Sequence, residues 1–223
     1  MQSFSAMDQL LLFPKERSLF LHESSSGLYN STIYYWAKTI AESWSHVLFA
    51  FVAAAVTYEM YGLRDEEVAR LNFYLIIVLV TVCGAALLTA VGSLCKNMEQ
   101  SNGLATIILL LYMIFDGSWV NKQNIPVWYR WAESISFMGL GVEAAVANEF
   151  RGMEFQECQG CEVTSGEQAL EDLGMDEVTI AGNLLELFLW TVFYRVVAFL
   201  GLHFMYTGAP LKERAGLLLG QNW

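Results

Sequence analysis

Charge-free apolar runs set the pattern of this chain, and four of them are long enough to consider as membrane crossings. The clearest is Leu71 to Cys95, where Asn72 and the small residues Gly84, Ala85, Ala86, Ala90, Gly92 and Ser93 interrupt only mildly. A helix must offer about 20 apolar residues to cross about 30 Å of hydrocarbon, and small residues let helices approach closely in lipid. The run is therefore predicted to be one long helix. A second crossing is predicted over 44–61, with His46 and Glu59 near enough to the ends to reach the interface. A third is predicted over 103–120. Asp116 lies near its outer end and should face protein or water, because a mid-bilayer carboxylate costs about 2.5–3.5 kcal/mol on insertion scales. The last covers 181–206 and holds Glu186 and Arg195, whose spacing misses a one- or two-turn match, so no ion pair is read between them.

The remaining stretches are shorter or more polar. Residues 1–13 are half-apolar but too short to span, and lack the basic start and small-residue cleavage site of a secretory signal. They read as the tail of a truncated helix. Pro14 ends it, and Lys15 and Arg17 mark a cytoplasmic boundary. Lys96, Lys212 and Arg214 then fall on that side, whereas Arg64, Arg70, Lys122, Arg130 and Arg151 fall opposite, so positive charge orients the chain only weakly. Ile125-Pro126-Val127-Trp128-Tyr129-Arg130-Trp131 is an aromatic cluster suited to headgroup depth. The apolar stretch Ile135 to Ala147 after it is too short to cross and return, which makes 121–148 a re-entrant or interfacial segment. Residues 149–178 turn acidic and polar and read as a water-exposed outer loop.

Composition narrows the function. The 223 residues are 55% hydrophobic, more than a soluble domain carries, so the fold class is all-α: a polytopic transmembrane helix bundle with a re-entrant helical turn and an extracellular loop. Twelve Lys and Arg against 23 acidic residues leave a net charge of −11, the wrong sign for holding nucleic-acid phosphates. No nucleic-acid partner is expected; membrane lipid is.

Three ordered stretches carry a resemblance. Phe13-Pro14-Lys15-Glu16-Arg17-Ser18-Leu19-Phe20-Leu21-His22-Glu23, with Ser26-Gly27-Leu28-Tyr29 and later Tyr34, Tyr35 and Lys38, is the first. Phe115 to Asn121, with Ile125-Pro126 and Trp128, is the second. Asn148-Glu149-Phe150-Arg151-Gly152, the cysteines Cys158 and Cys161, and Ser165-Gly166-Glu167-Gln168-Ala169-Leu170 form the third. In this order the chain resembles the membrane domain of the G-subfamily (White and multidrug-resistance type) ATP-binding-cassette half-transporters, truncated at its N-terminus. The resemblance implies that 14–43 is the cytoplasmic link that couples to an ATPase, and that the whole of 1–223 is a partial type-2 membrane domain. It implies further a second half-transporter, as homo- or heterodimer, around a central path.

By the same registers Phe4, Leu110 and Met113 match substrate-cavity positions, and Ser118 and Trp119 match the plug between cavity and exit. Relatives often carry two leucines at that plug, so a polar and a bulky residue put this gate in doubt. Ordinary helix packing is the plain alternative for all five. Lys15, Glu16, Arg17, His22 and Glu23 match the coupling segment, whose plain alternative is a solvated interfacial helix with surface charges worth little per pair. His22 and Glu23 are not a metal site, since adjacent residues point apart on a helix and no further ligand is near.

Cys158 and Cys161 admit three readings: an outer-face disulfide, a redox pair, or half of a zinc site. Zinc wants four ligands and two are present, and no βαβ pattern accompanies the pair, so the disulfide fits best. The family's loop is disulfide-braced too, usually with wider spacing, which leaves open whether these two bond each other or a partner chain. Cys83 and Cys95 lie in or beside a span and are read as packing residues.

No Gly-x-x-x-x-Gly-Lys phosphate loop occurs, and no Gly is followed by Lys. The chain is therefore expected not to be an enzyme; ATP and magnesium would sit on a partner or missing nucleotide-binding domain, with no cofactor or metal on this chain. The resemblance implies an exporter half for lipids, sterols or other amphipathic molecules in the plasma membrane. A non-transporting scaffold or assembly partner that keeps the fold is the alternative. The orientation has a direct test: Asn30-Ser31-Thr32 is a glycosylation sequon on the cytoplasmic side. Mass spectrometry of native membranes should find Asn30 unmodified, and a glycan there would invert the topology.

Overall fold

The computed structural model describes Leu10 and residues 31–95, 97–114, 116, 135–154, 165–176 and 178–207. Phe4, Lys15, Glu16, Arg17, His22, Glu23, Asn30, Ser118, Trp119, Cys158 and Cys161 lie outside the described residues. Six helices follow in order: α1 Ser31–Tyr61, α2 Glu67–Leu94, α3 Met98–Ile114, α4 Phe137–Phe150, α5 Gly166–Leu173 and α6 Ile180–Thr207. The described residues contain no strand, only an isolated bridge between Glu154 and Ser165. The class is all-α, as the apolar runs imply.

Among the described residues three helical stretches are long and apolar enough to cross a bilayer: Thr32–Tyr61, Glu67–Leu94 and Ile180–His203. Leu71 to Leu94 lies in one unbroken helix. The helix α1 has 31 residues, about 46 Å at 1.5 Å per residue, so it overshoots the hydrocarbon by about 16 Å. Where the sequence predicts a span over 103–120, the structure has the 17-residue apolar helix α3, which starts earlier and ends at Ile114. Its described 17 residues cover about 26 Å, and 115 and 117–120 lie outside the described residues.

The described residues form two compact units, one within Met1–Val47, Gly84–Ile107 and Thr191–Trp223, the other within Leu48–Cys83 and Ile108–Trp190. In the first, small residues set the helix spacing. A Cβ on Gly201 would stand 2.5 Å from Ser93 Oγ, and one on Gly92 would stand 2.6 Å from the Leu10 carbonyl oxygen. Without a hydrophobic driving force between helices in lipid, such close backbone approach is what holds them together. Hydroxyls on this tight face find partners within their own helix: Thr89 donates to the Ala85 carbonyl at 2.7 Å and Ser93 to that of Ala90 at 2.7 Å. No polar group there is left to face apolar neighbours.

In the second unit α4 is fixed at both ends. Its cap, Ser136, accepts from Gly139 N at 3.2 Å and donates to the Tyr112 carbonyl at 3.2 Å, while Tyr112 meets Phe137 edge-on at 5.3 Å. Gly141 lets the helix press against Val80, where a Cβ would overlap the valine methyl. With 14 residues, about 21 Å, α4 cannot span. Beyond it, Ser165 caps α5 by accepting from Gln168 N, the first half of a capping box, and Gly174 closes the helix in the left-handed conformation at φ 70°. Ala147, Leu170 and Met175 then bury one another, with Phe150, Val178 and Ile180 packed around them.

The bond from Gly166 N to the Met153 carbonyl at 2.8 Å brings α5 so close that a Cβ at Gly166 would overlap the Phe150 carbonyl oxygen. Because that obstacle is backbone, Gly166→Ala should destabilise this outer element by about 1–3 kcal/mol. Hydrogen exchange should show the amides of Gly166–Leu173 losing protection while those of Glu67–Leu94 keep theirs.

Candidate functional site

Two of the sequence-predicted site residues fall in described structure, Leu110 and Met113, and α3 sets them three residues apart on one face. Both are exposed, Leu110 at 54% and Met113 at 45%, and Leu104, Ile107, Leu111 and Ile114 are exposed beside them. Only Ser101 and Ala105 of this helix are buried. So broad an apolar surface on one short helix is suited to lipid, a greasy ligand or another apolar helix, and unsuited to water. Thr106, one turn before Leu110, is its exposed hydroxyl, and that group donates to the Asn102 carbonyl at 2.8 Å.

The structure also assembles two polar groupings that the sequence reading leaves apart. In the first unit α1 and α6 run antiparallel: Tyr35 packs edge-on against Phe199 at 5.5 Å and donates to the Arg195 carbonyl at 2.8 Å, and further along α1 Ser43 accepts from Arg195 Nη2 at 3.0 Å. His46, one turn beyond Ser43 and only 7% exposed, feels the field of the same guanidinium. Arg195 Nη1 and His46 Nδ1 are both shielded and without a hydrogen-bond partner. Among the described residues Arg195 has no ion-pair partner; Glu186 is exposed and not bonded to it. A lone arginine in an apolar run is the signal that marks this grouping in the sequence.

The second grouping ties the α1–α2 turn to the segment after α4, all within the second unit. Arg64 N donates to Glu149 Oε1 at 2.8 Å, and its Nη1 donates to the Arg151 carbonyl at 2.7 Å. Tyr58 donates to the Arg64 carbonyl, and Arg70 lies over the Tyr58 ring at 5.5 Å. Arg151 Nη2 in turn donates to the Val178 carbonyl at 2.7 Å, and Asn148 Nδ2 to that of Ala69 at 2.8 Å. Deeper in α4, buried Glu143 accepts from Asn183 Nδ2 at 3.2 Å, and the same amide donates to the Leu140 carbonyl at 3.1 Å. These contacts satisfy backbone and charged groups that would otherwise sit unpaired at the membrane boundary. They brace the fold and do not converge on an open pocket.

The phosphate loop is missing from the sequence, and among the described residues no three His, Cys, Asp or Glu side chains gather to hold a metal ion. The described cysteines, Cys83 and Cys95, form no disulfide; the first is buried and the second half-buried.

Comparison with known proteins supplies what the geometry does not. The family profile described as ABC-2 type transporter matches residues 1–150. The chain is 29% identical to ABC transporter G family member 1 of Dictyostelium discoideum over 89% of its own length and 26% of the relative's. It is 30% identical to ABC transporter G family member 7 of Arabidopsis thaliana over 73% of its own length and 22% of the relative's. It is 33% identical to Broad substrate specificity ATP-binding cassette transporter ABCG2 of Mus musculus, over 73% of this chain and 25% of that one. The chain thus spans about a quarter of the length of these curated relatives.

The buried amide at Asn183 tests the bracing role. Asn183→Leu should cost about 1–3 kcal/mol in thermal unfolding, because it removes the buried amide donor that serves both the Glu143 carboxylate and the Leu140 carbonyl. Combining it with Glu143→Leu should recover most of that loss.

Proposed function

Because the chain belongs to the ABC-2 type transporter family, as a membrane domain of its G subfamily, we propose that it is the transmembrane part of an ATP-driven exporter for lipids, sterols or other amphipathic molecules. The exposed apolar face around Leu110 and Met113 is the observation that carries the substrate class. A wall of aliphatic side chains holds greasy molecules by area and shape and discriminates weakly among them. The broad specificity in the name of the mouse relative fits a wall of that kind.

In this reading two such membrane domains, identical or different, face each other in the plasma membrane. Substrate enters between them along Phe4, Leu110 and Met113 and leaves past Ser118 and Trp119. Nucleotide-binding domains, which carry ATP and magnesium, close on the cytoplasmic side and push the segment holding Lys15, Glu16, Arg17, His22 and Glu23. The ligand is moved because the inward-open and outward-open states bind it with different affinity. The chain's own residues bind and guide; none performs the hydrolysis. Cys158 and Cys161 would brace the outer loop as a disulfide, within the chain or to its partner.

Reconstitution in liposomes with a nucleotide-binding partner should give ATP hydrolysis stimulated by an amphipathic substrate. Leu110→Asp with Met113→Asp should lower the stimulated rate about tenfold, since charge in an apolar wall opposes ligand burial. Phe4→Ala should raise the substrate concentration needed for half-stimulation. Absence of stimulation with every partner and substrate would leave a membrane scaffold as the function.

A further inference from the structure

The face of α3 that carries Leu110 and Met113 continues past Thr106 toward the start of the helix. At the same three- and four-residue steps it takes in Asn102 and Glu99. With about 3.6 residues per turn, Glu99, Asn102, Thr106, Leu110 and Met113 share an arc of about 80°. All five are exposed, and the buried residues of this helix, Ser101 and Ala105, lie outside that arc.

The neighbouring helix gives the depth. Since α2 is long and apolar enough to cross the bilayer and ends at Leu94, and α3 begins at Met98, the first turn of α3 stands at headgroup depth. Leu110 lies about 16 Å further along the axis than Glu99, and Met113 about 21 Å. The stripe therefore grades from carboxylate through amide and hydroxyl to aliphatic as it leaves the boundary.

Its polar end carries one sign of charge. Among the described residues no hydrogen bond or ion pair reaches the Glu99 carboxylate or the Asn102 side-chain amide. Thr106 gives its proton to the Asn102 carbonyl at 2.8 Å and still has lone pairs with which to accept. No basic residue occurs in α3, and a helix dipole favours negative charge in the first turn. A carboxylate placed only to favour the helix start would be indifferent to the head group of a molecule beside it.

We propose that this stripe selects, among amphipathic molecules, those with a cationic amine head. The ammonium donates to the Glu99 carboxylate and the Asn102 amide oxygen, a charge-assisted contact, while the hydrocarbon tail lies along Leu110 and Met113. Thr106 accepts from a second polar group where the molecule has one. An anionic head meets repulsion from Glu99, and a neutral head gains no charge contact. The inference rests on the reading of α3 as the substrate wall and narrows that reading to amine-bearing amphiphiles.

Dodecyl probes with a diazirine in the tail and an ammonium, hydroxyl or sulfonate head test this on the full chain in phosphatidylcholine nanodiscs, with labelled peptides mapped by mass spectrometry. The ammonium probe should label Met98–Ile114 about tenfold more than the sulfonate probe, with the hydroxyl probe between them. Glu99→Gln should bring the ammonium probe down to the level of the hydroxyl probe, and Glu99→Asp should keep most of the preference. Glu67→Gln removes a first-turn carboxylate from α2 instead and should change nothing. Far-UV helicity matched to the parent chain certifies that each variant is folded. Equal labelling of α3 by the three probes, a preference that survives Glu99→Gln in a folded chain, or the same preference on Ile180–Thr207 overturns the inference. The readout requires no ATPase. Charge-selective labelling of α3 without substrate-stimulated hydrolysis would keep the site and sink the exporter reading, whereas stimulated hydrolysis with unselective labelling would sink this inference alone.

Discussion

Hydrocarbon offers no hydrogen bonds, so every polar group that enters it must be satisfied by the protein itself. That constraint explains the main features of this chain. The backbone answers it by forming long helices. Side-chain hydroxyls answer it by bonding back to their own helix, as Thr89 and Ser93 do. The amide of Asn183 answers it by serving both a carbonyl and the Glu143 carboxylate. What lipid cannot supply as a driving force, close approach supplies instead, through glycines such as Gly201 against Ser93. At Arg195 the rule is met in part within the described residues: Nη2 donates to Ser43 Oγ and Nη1 has no hydrogen-bond partner.

Periodicity and composition made the helices readable because a crossing helix is a long, local signal. Leu71 to Cys95 needs no partner to be recognised, and the short reach of Ile135 to Ala147 is enough to read α4 as a helix that does not span. Helix ends were less legible. The continuation of α1 back to Ser31 carries Lys38, Glu42 and Ser43, and a polar stretch of helix outside the hydrocarbon looks like a link by composition. The region predicted as a third crossing shows the opposite problem: Met98, Glu99 and Gln100 read as a boundary, yet Glu99 sits in the first turn of α3, where a carboxylate is favourable.

The candidate site was legible where one helix suffices. Leu110 and Met113 come from the register of the family resemblance, and spacing alone puts them on one face. The groupings that need two or three helices were not legible. Ser43 and Arg195 lie 152 residues apart, and Arg64 and Glu149 lie 85 apart. Long-range pairing is set by how helices cross, and no local pattern records that. A lone ionisable residue in an apolar run flags that a partner must exist without naming it. The family resemblance filled part of this gap, because the ordered motifs around Glu16-Arg17, Phe115 to Asn121 and Asn148-Glu149-Phe150 speak for a whole architecture.

The account stands on α2 lying across the hydrocarbon as one helix. Single cysteines placed along Glu67–Leu94 in a background with Cys83, Cys95, Cys158 and Cys161 all replaced by Ala, in sealed membrane vesicles, can be titrated with a membrane-impermeant maleimide. The account predicts rapid labelling at the outward-facing end, labelling of the other end only after the vesicles are permeabilised, and protection throughout the intervening turns. Labelling at a helical period along the full length, as on a water-facing helix, would contradict it.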